Sequence, residues 1–347
     1  MKVVVDDKIP YIQEALRAIA DEVLFIPGSK ISSDIVHDAD ALIVRTRTKC
    51  DRNLLEGSRV QFIATATIGY DHIDTEYCSN AGIIWKNAPG SNSSSVAQYI
   101  ESVFILLEKE YGEKLSESTL GVIGVGNVGS KVALLGEKYG MRVLLNDPPR
   151  SDSEGREHYC SLEQIAEECD IITFHTPLFT AGEYKSLHLA DDIFFRSLKK
   201  KPVLINTSRG EVIDTVALLS ALTHKIVSYA VIDVWENEPD INRELLSTGI
   251  ITTPHIAGYS ADGKANATRM SLNSLCEHFG IKAHYTITPP VPDHSVIQAA
   301  SYEDALLEIY DPRKDSIALK QHPAMFEKLR GDYPLRREKK AYKIIIS

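Results

Sequence analysis

The sequence predicts an α/β protein built mainly from doubly wound parallel sheets. Short apolar runs of four to seven residues, rich in Val and Ile, alternate with segments long enough for one crossover helix. These runs fall into two blocks, one before and one after an apolar segment that starts near Val96. With 347 residues and 44% hydrophobic content, the chain can bury the cores of two or three domains. We therefore expect sheet domains rather than a disordered chain.

The first block begins at the N-terminus. Its apolar runs are KVVV (2–5), ALIV (41–44) and QFIATA (61–66). The block ends near NAPGSNSSS (87–95), whose Ser and Asn residues are typical of a helix start. From Val96 the segment VAQYIESVFILLEKE carries apolar residues around most of the helical circumference, which predicts a long buried helix.

The second block predicts a larger sheet. Its runs are TLGVIGV (119–125), RVLLN (142–146), IITFH (171–175), PVLIN (202–206), SYAVIDV (228–234) and IITT (250–253). After Ile281 the segment AHYTITPPVPDHSV contains a Pro-Pro pair and Pro292, which disfavour a helix and indicate a linker. Residues 296–347 form a small mixed segment rich in charge.

Charge and cysteine content exclude several classes of protein. A formal net charge of -10 and a pI near 5.6 argue against a nucleic-acid partner, because phosphate backbones favour clustered Lys and Arg. The N-terminal run is too short and too soon charged for a signal peptide or a membrane span, so it is interpreted as a strand. The cysteines show no metal-binding spacing, which predicts no metal site and reduced thiols in the cytoplasm. They are Cys50, Cys78, Cys160, Cys169 and Cys276.

A dinucleotide-binding motif follows the first strand of the second block. GVGNVG places Gly124, Gly126 and Gly129 in the G-x-G-x-x-G spacing, between a strand and the helix SKVALLGEKYG. Asp147 ends the next strand, where a carboxylate accepts hydrogen bonds from ribose hydroxyls and repels a 2′-phosphate, so NAD is favoured over NADP. Two alternatives remain open: Arg150 could meet a phosphate, or the turn could bind no nucleotide.

Three later strand ends carry candidate catalytic residues. INTSRGEVID, IDVWENEP and TTPHIAGYS contribute Arg209, Glu238 and His255. The carboxyl ends of parallel strands open on one edge of a sheet, so these side chains can converge. Histidine titrates near neutral pH and suits proton transfer, Glu favours its imidazolium, and Arg grips a carboxylate bidentately. The pattern fits oxidation of a 2-hydroxy acid. Each residue also has a structural alternative: Arg209 could form a salt bridge within its loop, Glu238 could be a charge at a helix N-terminus, and His255 could be a buried hydrogen-bond donor in the core.

The motifs GVGNVG with Asp147, INTSRG, DVWENEP and PHIAG, in this order, resemble the D-isomer-specific 2-hydroxyacid dehydrogenases over residues 1 to about 280. The segments VRTRT, TATIGYDHID and PHIAGYSADGKANAT, with the tail YDPRKD and FEKLRGDYPLRRE, extend the likeness over nearly the whole chain. They resemble a branch of the family that acts on a phosphorylated substrate.

The resemblance implies a fold and a domain organisation. We expect a Rossmann-type domain at residues 96–257 that binds NAD, and a flavodoxin-like substrate domain at residues 1–95 with 258–285. A small α+β segment at residues 286–347 is expected to form the contact of a homodimer. The tail AYKIIIS ends in an apolar run, and an exposed strand of this kind would seek a partner edge.

The resemblance also assigns site residues. Arg209 is implied to bind the substrate carboxylate, Glu238 to partner the histidine, and His255 to act as acid and base. The positions implied to line NAD are Gly124, Gly126, Asn127, Val128, Gly129, Asp147, Thr176, Thr207, Ser208, Asp233 and Gly258. Thr46, Thr67 and Tyr259 are implied substrate contacts, and the alternative for Tyr259 is a core or hinge aromatic residue.

Local charge suggests two further substrate contacts. Arg45 and Arg47 lie in the loop VRTRTK of an otherwise acidic chain and could bind a phosphate, and a solvated basic turn is an equal alternative. Ser91 and Gln98 differ from what relatives often carry and are interpreted as packing variation.

Two rival functions remain at this stage. One is a family enzyme for 3-phosphoglycerate or an unphosphorylated 2-hydroxy acid, and the other is an NAD-sensing protein without turnover.

Overall fold

The computed structural model describes residues 1–334 and 336–347. The chain divides into two compact units. One comprises Met1–Asn92 and Ser260–Asp293, and the other comprises Ser93–Tyr259 and His294–Ser347. The C-terminal residues from His294 onward therefore belong to the same unit as the predicted nucleotide-binding sheet.

The first unit contains a parallel sheet in the order β2-β1-β3-β4-β5, which is the flavodoxin-like order. The strands are β1 (Lys2–Asp6), β2 (Glu22–Ile26), β3 (Ala41–Val44), β4 (Phe62–Thr65) and β5 (Ile84–Lys86), and the helices between them are α1 (Gln13–Arg17), α2 (Ser33–Val36), α3 (Arg52–Leu55) and α4 (Thr75–Asn80). The three predicted strands are confirmed. Strands β2 and β5 were not predicted; they are the edge strands, and their residues are mostly half-buried or exposed.

The second unit begins with a long helix and contains a larger parallel sheet in the order β11-β10-β9-β8-β6-β7. Its elements are α5 (Ser93–Tyr111), β6 (Thr119–Ile123), α6 (Gly129–Lys138), β7 (Arg142–Asn146), α7 (Pro148–Glu154), α8 (Leu162–Glu168), β8 (Ile171–Phe174), α9 (Asp192–Ser197), β9 (Val203–Asn206), α10 (Thr215–Thr223), β10 (Tyr229–Ile232), α11 (Arg243–Thr248) and β11 (Ile251–Thr252). All six predicted runs form strands, so the predicted Rossmann-type sheet is confirmed. The backbone N–H of Cys160 also donates to the carbonyl oxygen of Leu145 in β7. Cys160 therefore lies beside this edge strand, at the place where the Rossmann order has a further strand.

Helices cover both faces of this second sheet. Val203 and Ile205 point into one buried cluster with Tyr99 and Phe104 of α5. Leu204, between them, points into a second cluster with α8, α9, α10 and α11. This alternation is why β9 is a continuous apolar run, since a strand covered on both faces has no solvent-facing side. The long helix α5 is buried along most of its length, as its sequence predicts.

The chain then returns to the first unit through α12 (Ala261–His278), which packs on the sheet through Ala265 and Leu272. Ser260 caps this helix by accepting the Gly263 N–H at 2.8 Å. Residues 281–295, all of them described, contain neither helix nor strand, in agreement with the predicted linker.

The C-terminal segment has the predicted α+β character. Its elements are β12 (Val296–Ala299), α13 (Tyr302–Ile309), α14 (Pro312–Gln321), α15 (Phe326–Gly331) and β13 (Lys343–Ile346). The terminal apolar strand β13 pairs in parallel with β12, so one of its edges finds its partner inside the same chain. Buried polar contacts join the segment to the rest of the second unit; for example, the Ser102 hydroxyl donates to Tyr310 O at 2.8 Å.

Among the described residues, no helix combines the length and apolar character that crossing a membrane requires. Residues 1–334 and 336–347 also hold no group of three or more His, Cys, Asp or Glu side chains that could bind a metal ion.

Candidate active site

The glycine-rich turn after β6 is closely packed at two of its three glycines. Gly124 has a φ of +86°, and a Cβ there would lie 2.6 Å from the Thr176 nitrogen. A Cβ at Gly129 would lie 1.9 Å from Gly124 O. A Cβ at Gly126, by contrast, would meet no described atom within 4 Å. The turn therefore has open space beside Gly126, where a pyrophosphate can approach the backbone N–H groups at the start of α6.

Asp147 is fixed at the end of β7 by backbone donors. Its carboxylate accepts the N–H of Val125 at 2.8 Å and that of Arg150 at 3.1 Å, which caps α7. The guanidinium of Arg150 binds both carboxylate oxygens of Glu154, at 2.7 and 2.8 Å. Arg150 is therefore engaged by an acid of its own helix, which weakens the 2′-phosphate alternative. The residues at this turn fit NAD.

A histidine that sequence reasoning did not single out lies beside this turn. His175 follows β8 directly, and its ring nitrogens contact the hydroxyls of Thr173 at 2.9 Å and Thr207 at 3.2 Å. Burial lowers the pKa of His175 to about 3, so the ring is neutral at physiological pH. The pattern IITFH, a histidine at the end of a buried strand, is the feature that could have identified it. Its contact fixes the Thr207 hydroxyl, and Thr176, the next residue, abuts Gly124.

The loop after β9 presents Arg209. The side chain of Asn206 holds this loop, since its amide nitrogen donates to Arg209 O at 2.9 Å and its oxygen accepts the N–H of Ser208 at 3.0 Å. The loop packs directly on the loop after β10, because a Cβ at Gly210 would lie 1.9 Å from the carbonyl carbon of Trp235. Two of the three predicted strand ends therefore touch through their backbones.

The third strand end carries His255, which contacts Glu238. The Nδ1 atom of His255 lies 2.8 Å from Oε2 and 3.0 Å from Oε1 of the carboxylate. About a quarter of the His255 side chain is exposed (26%), so the other ring nitrogen, Nε2, is the one left to reach a substrate. The pairing gives the imidazole one fixed orientation, as a base in proton transfer requires.

The backbone at His255 is held in a conformation that non-glycine residues rarely adopt, with a φ of +58°. Asp233, which follows β10, supplies the restraint. Its carbonyl accepts the N–H of His255 at 2.8 Å, and its carboxylate accepts the N–H groups of Ile256 at 2.8 Å and Ala257 at 3.0 Å. Desolvation raises the pKa of Asp233 even though the charge of His255 and these hydrogen bonds oppose it. The Asp233 side chain therefore shapes the PHIAG turn itself.

Glu238 is held from three sides. Besides His255, it accepts the N–H of Trp235 at 3.0 Å and a guanidinium N–H of Arg330 at 3.2 Å. Desolvation raises the pKa of Glu238, but the hydrogen bond and charge of His255 and the charge of Arg330 outweigh it, and the net pKa is lowered. The carboxylate is therefore anionic at neutral pH and can stabilise a positive charge on His255.

Tyr259 is held by the C-terminal segment. Arg330 Nε donates to the Tyr259 hydroxyl oxygen at 3.3 Å, while the same guanidinium reaches Glu238. Sequence reasoning missed Arg330, although it lies in the tail segment FEKLRGDYPLRRE, because no spacing rule connects it to residues more than seventy positions earlier.

The remaining predicted cofactor residues lie on these same loops. Asn127 and Val128 complete the glycine-rich turn at the start of α6, Ser208 is buried with its hydroxyl on Asn206, and Gly258 lies between Ala257 and Tyr259.

In the first unit, the two arginines of the VRTRTK loop differ. Arg45 binds the fully buried carboxylate of Asp6 at 3.1 and 3.2 Å, so its charge neutralises an internal acid. Thr46 and Arg47 are exposed. Thr67 donates to Gly69 O at 2.8 Å and contacts the Thr65 hydroxyl at 2.6 Å.

Comparisons with known proteins show the family to which the chain belongs. A family model described as the NAD-binding domain of D-isomer-specific 2-hydroxyacid dehydrogenases matches residues 95–257, and one described as a domain of unknown function matches residues 291–347. The chain is 64% identical to the erythronate-4-phosphate dehydrogenase of Bacteroides thetaiotaomicron, over 99% of both chains. It is 42% identical to that of Porphyromonas gingivalis, over 99% of this chain and 95% of the relative. The chain belongs to the erythronate-4-phosphate dehydrogenases, within the D-isomer-specific 2-hydroxyacid dehydrogenase family.

Solved structures of the wider family share the fold. A 3-phosphoglycerate dehydrogenase of Entamoeba histolytica with bound NAD+ is 27% identical, with a TM-score of 0.68, over 84% of this chain and 99% of that one. A D-lactate dehydrogenase of Aquifex aeolicus complexed with NAD and lactic acid is 26% identical, with a TM-score of 0.66, over 84% of this chain and all of that one. The chain is an NAD-dependent dehydrogenase, and the prediction of NAD as its cofactor is confirmed.

Proposed function

We propose that this chain oxidises 4-phospho-D-erythronate at C2 to (R)-3-hydroxy-2-oxo-4-phosphobutanoate with NAD, as a step of pyridoxal 5′-phosphate biosynthesis. The observation that carries the proposal is the pairing of His255 with Glu238 at 2.8 Å, in the unit that also holds the glycine-rich turn. The substrate itself is inferred from the relatives that share the whole length of the chain and carry the name erythronate-4-phosphate dehydrogenase.

The reaction removes a hydride from C2 and a proton from the hydroxyl on the same carbon. Bound NAD supplies the nicotinamide ring that accepts the hydride. His255 takes the proton at Nε2, because Nδ1 faces Glu238, and the anionic carboxylate stabilises the imidazolium that forms. Arg209 binds the substrate carboxylate, and its guanidinium also polarises the oxygen on C2.

We assign the other predicted site residues to the two ligands. The NAD-lining residues are Gly124, Gly126, Asn127, Val128, Gly129, Asp147, Thr176, Thr207, Ser208, Asp233 and Gly258. The substrate contacts are Thr46, Thr67, Tyr259, Arg45 and Arg47. Arg47 is exposed and is a candidate contact for the phosphate group. The substitution Arg47→Gln should then raise KM for the phosphorylated substrate and leave KM for NAD unchanged.

Substrate choice is tested by steady-state kinetics. The rate of NADH formation is measured with 4-phospho-D-erythronate, 3-phosphoglycerate and D-lactate, with a 2-oxo acid added in a parallel series in case the cofactor stays bound between turnovers. The proposal requires the highest kcat/KM with 4-phospho-D-erythronate. Equal or better turnover of 3-phosphoglycerate would replace it with the rival assignment within the family. Binding of NAD with no turnover of any substrate would favour the sensor.

We also propose that the protein is a cytoplasmic homodimer that associates through the C-terminal segment. Val296, Ile345 and Ile346 of the β12–β13 sheet are exposed large apolar side chains, which a contact between subunits would cover. Analytical ultracentrifugation of the wild type and of an Ile346→Lys variant tests this. The proposal predicts a dimer whose dissociation constant rises in the variant, and a monomeric wild type would contradict it.

A further inference from the structure

The C-terminal segment reaches the catalytic histidine through one side chain, Arg330. Its Nη1 donates to Oε2 of Glu238 at 3.2 Å, and its Nε donates to the hydroxyl oxygen of Tyr259 at 3.3 Å. The same Oε2 lies 2.8 Å from Nδ1 of His255. One carboxylate oxygen is therefore shared by an imidazole and a guanidinium, and a single guanidinium connects two residues of the site.

The packing of α15 fixes the position of Arg330. It occupies the last turn of α15, whose Phe326 is 1% exposed within the hydrophobic core of the second unit. Six residues later, half-buried Arg336 donates to the carbonyls of Ile256 at 3.2 Å and Ala257 at 2.6 Å, within the loop that carries His255. The guanidinium of Arg336 also lies 3.9 Å from the ring centre of Tyr310, in cation–π contact. The C-terminal segment therefore contacts the loop that carries His255 independently of Arg330.

We propose that Arg330 is a positioning residue for the reaction, holding the Glu238 carboxylate and the Tyr259 hydroxyl in one arrangement around His255. The inference rests on the proposed function, since it takes His255 as the proton acceptor. A planar guanidinium can hold two groups at once, whereas the single ammonium of a lysine cannot reproduce that fork. Because Arg330 donates to the Tyr259 oxygen, the hydroxyl proton of Tyr259 is directed to another acceptor.

The charge of Arg330 has a second effect. The charged groups that face His255 are Glu238, Asp233 and, through Glu238, Arg330. The guanidinium of Arg330 offsets part of the negative charge that Glu238 presents to His255, and its removal would leave the imidazole facing a fuller negative charge.

The test compares Arg330→Met, Arg330→Lys and the control Lys328→Met. Lys328 is an exposed cation of the same helix, so its replacement matches the loss of charge without touching the site. We expect Arg330→Met to lower kcat/KM at least tenfold, because a charge-assisted hydrogen bond to Glu238 is lost. The acidic limb of its kcat/KM profile should move to higher pH. In Arg330→Lys the rate should fall while the acidic limb stays in place, because the charge is kept and the fork is lost.

A double-mutant cycle shows whether Arg330 acts through Glu238. In a Glu238→Gln background, Arg330→Met should cost much less than in the wild type. Full additivity of the two losses would overturn the proposal, as would an Arg330→Met enzyme within twofold of Lys328→Met in both rate and pH profile. Thermal melting of each variant identifies any general loss of folding. The dissociation constant of NAD should stay within twofold of the wild type.

Failure of the proposed function can be recognised separately. If the wild type does not oxidise 4-phospho-D-erythronate, that function falls, and NMR of the His255 ring then decides the role of Arg330. At a fixed pH, a change in the ring chemical shifts in Arg330→Met that is absent in Lys328→Met supports the positioning role. Identical ring spectra in both variants and the wild type would overturn it.

Discussion

Replacing Glu238 by Gln removes the charge that faces His255 and keeps the size of the side chain. The carboxylate lies 2.8 Å from the imidazole nitrogen, which places the centres of the two charges roughly 4 Å apart when the ring is protonated. Two unit charges at that separation interact by about 4 kcal/mol at an effective dielectric constant of about 20. The amide oxygen keeps a neutral hydrogen bond of about 1 kcal/mol. The expected loss is therefore about 3 kcal/mol, or roughly two orders of magnitude in kcat/KM.

The assay is steady-state NADH formation with 4-phospho-D-erythronate, with the dissociation constant of NAD measured in parallel. The matched control is Glu236→Gln, because Glu236 is two residues earlier in the same segment but contacts His188 at 2.7 Å and the Thr215 N–H at 2.9 Å. The control should keep its kcat/KM. A Glu238→Gln enzyme within threefold of the wild type would refute the role of this carboxylate in stabilising the imidazolium.

Three further predictions follow from the same loops. Arg209→Lys should lower kcat/KM by about 30-fold, since loss of the two-point grip costs about 2 kcal/mol, and a value within twofold of the wild type would contradict this. Gly129→Ala should lower Tm, because the added Cβ would lie 1.9 Å from a carbonyl oxygen. Gly126→Ala should keep the Tm of the wild type and weaken NAD binding, measured by calorimetry. Equal losses of Tm in the two variants would count against the open space at Gly126. Unfolded His175 takes up a proton below pH 6.5 while the folded ring, with its pKa of about 3, does not. The free energy of unfolding should then fall by about 2 kcal/mol between pH 6.5 and 4.5, after a discount for residual ring exposure. Urea titrations of His175→Gln should lack this component, and an unchanged pH dependence would contradict it.

The sequence predicted the sheets wherever a strand is buried on both faces. Strands such as β9 are continuous apolar runs, and each polar cluster that follows one of them, at Arg209, Glu238 and His255, lies on a loop at the carboxyl end of the same sheet. The contact between His255 and Glu238 followed from that topology together with the residue types. The edge strands β2 and β5 were not predicted, because their side chains are partly exposed and their residues do not form an apolar run that differs clearly from a loop.

The contacts that were not predicted depend on distant segments of the chain. Arg330 and Arg336 reach the site from a tail whose helices are placed by packing, and no periodicity connects them to Glu238 or Ala257. In the same way, the engagement of Arg45 by Asp6 depends on the pairing of β1 with β3, which brings together residues 39 positions apart. Sequence pattern identifies residues that can carry chemistry, and tertiary packing decides which charges are already neutralised.

The central claim is that His255, oriented by Glu238, accepts the C2 hydroxyl proton of a phosphorylated 2-hydroxy acid. Its most direct test is NADH formation from 4-phospho-D-erythronate by the wild type and by His255→Ala, with the dissociation constant of NAD measured for both. We predict turnover by the wild type, a loss of at least about a hundredfold in the variant and unchanged NAD binding. Turnover that survives in His255→Ala would contradict the claim.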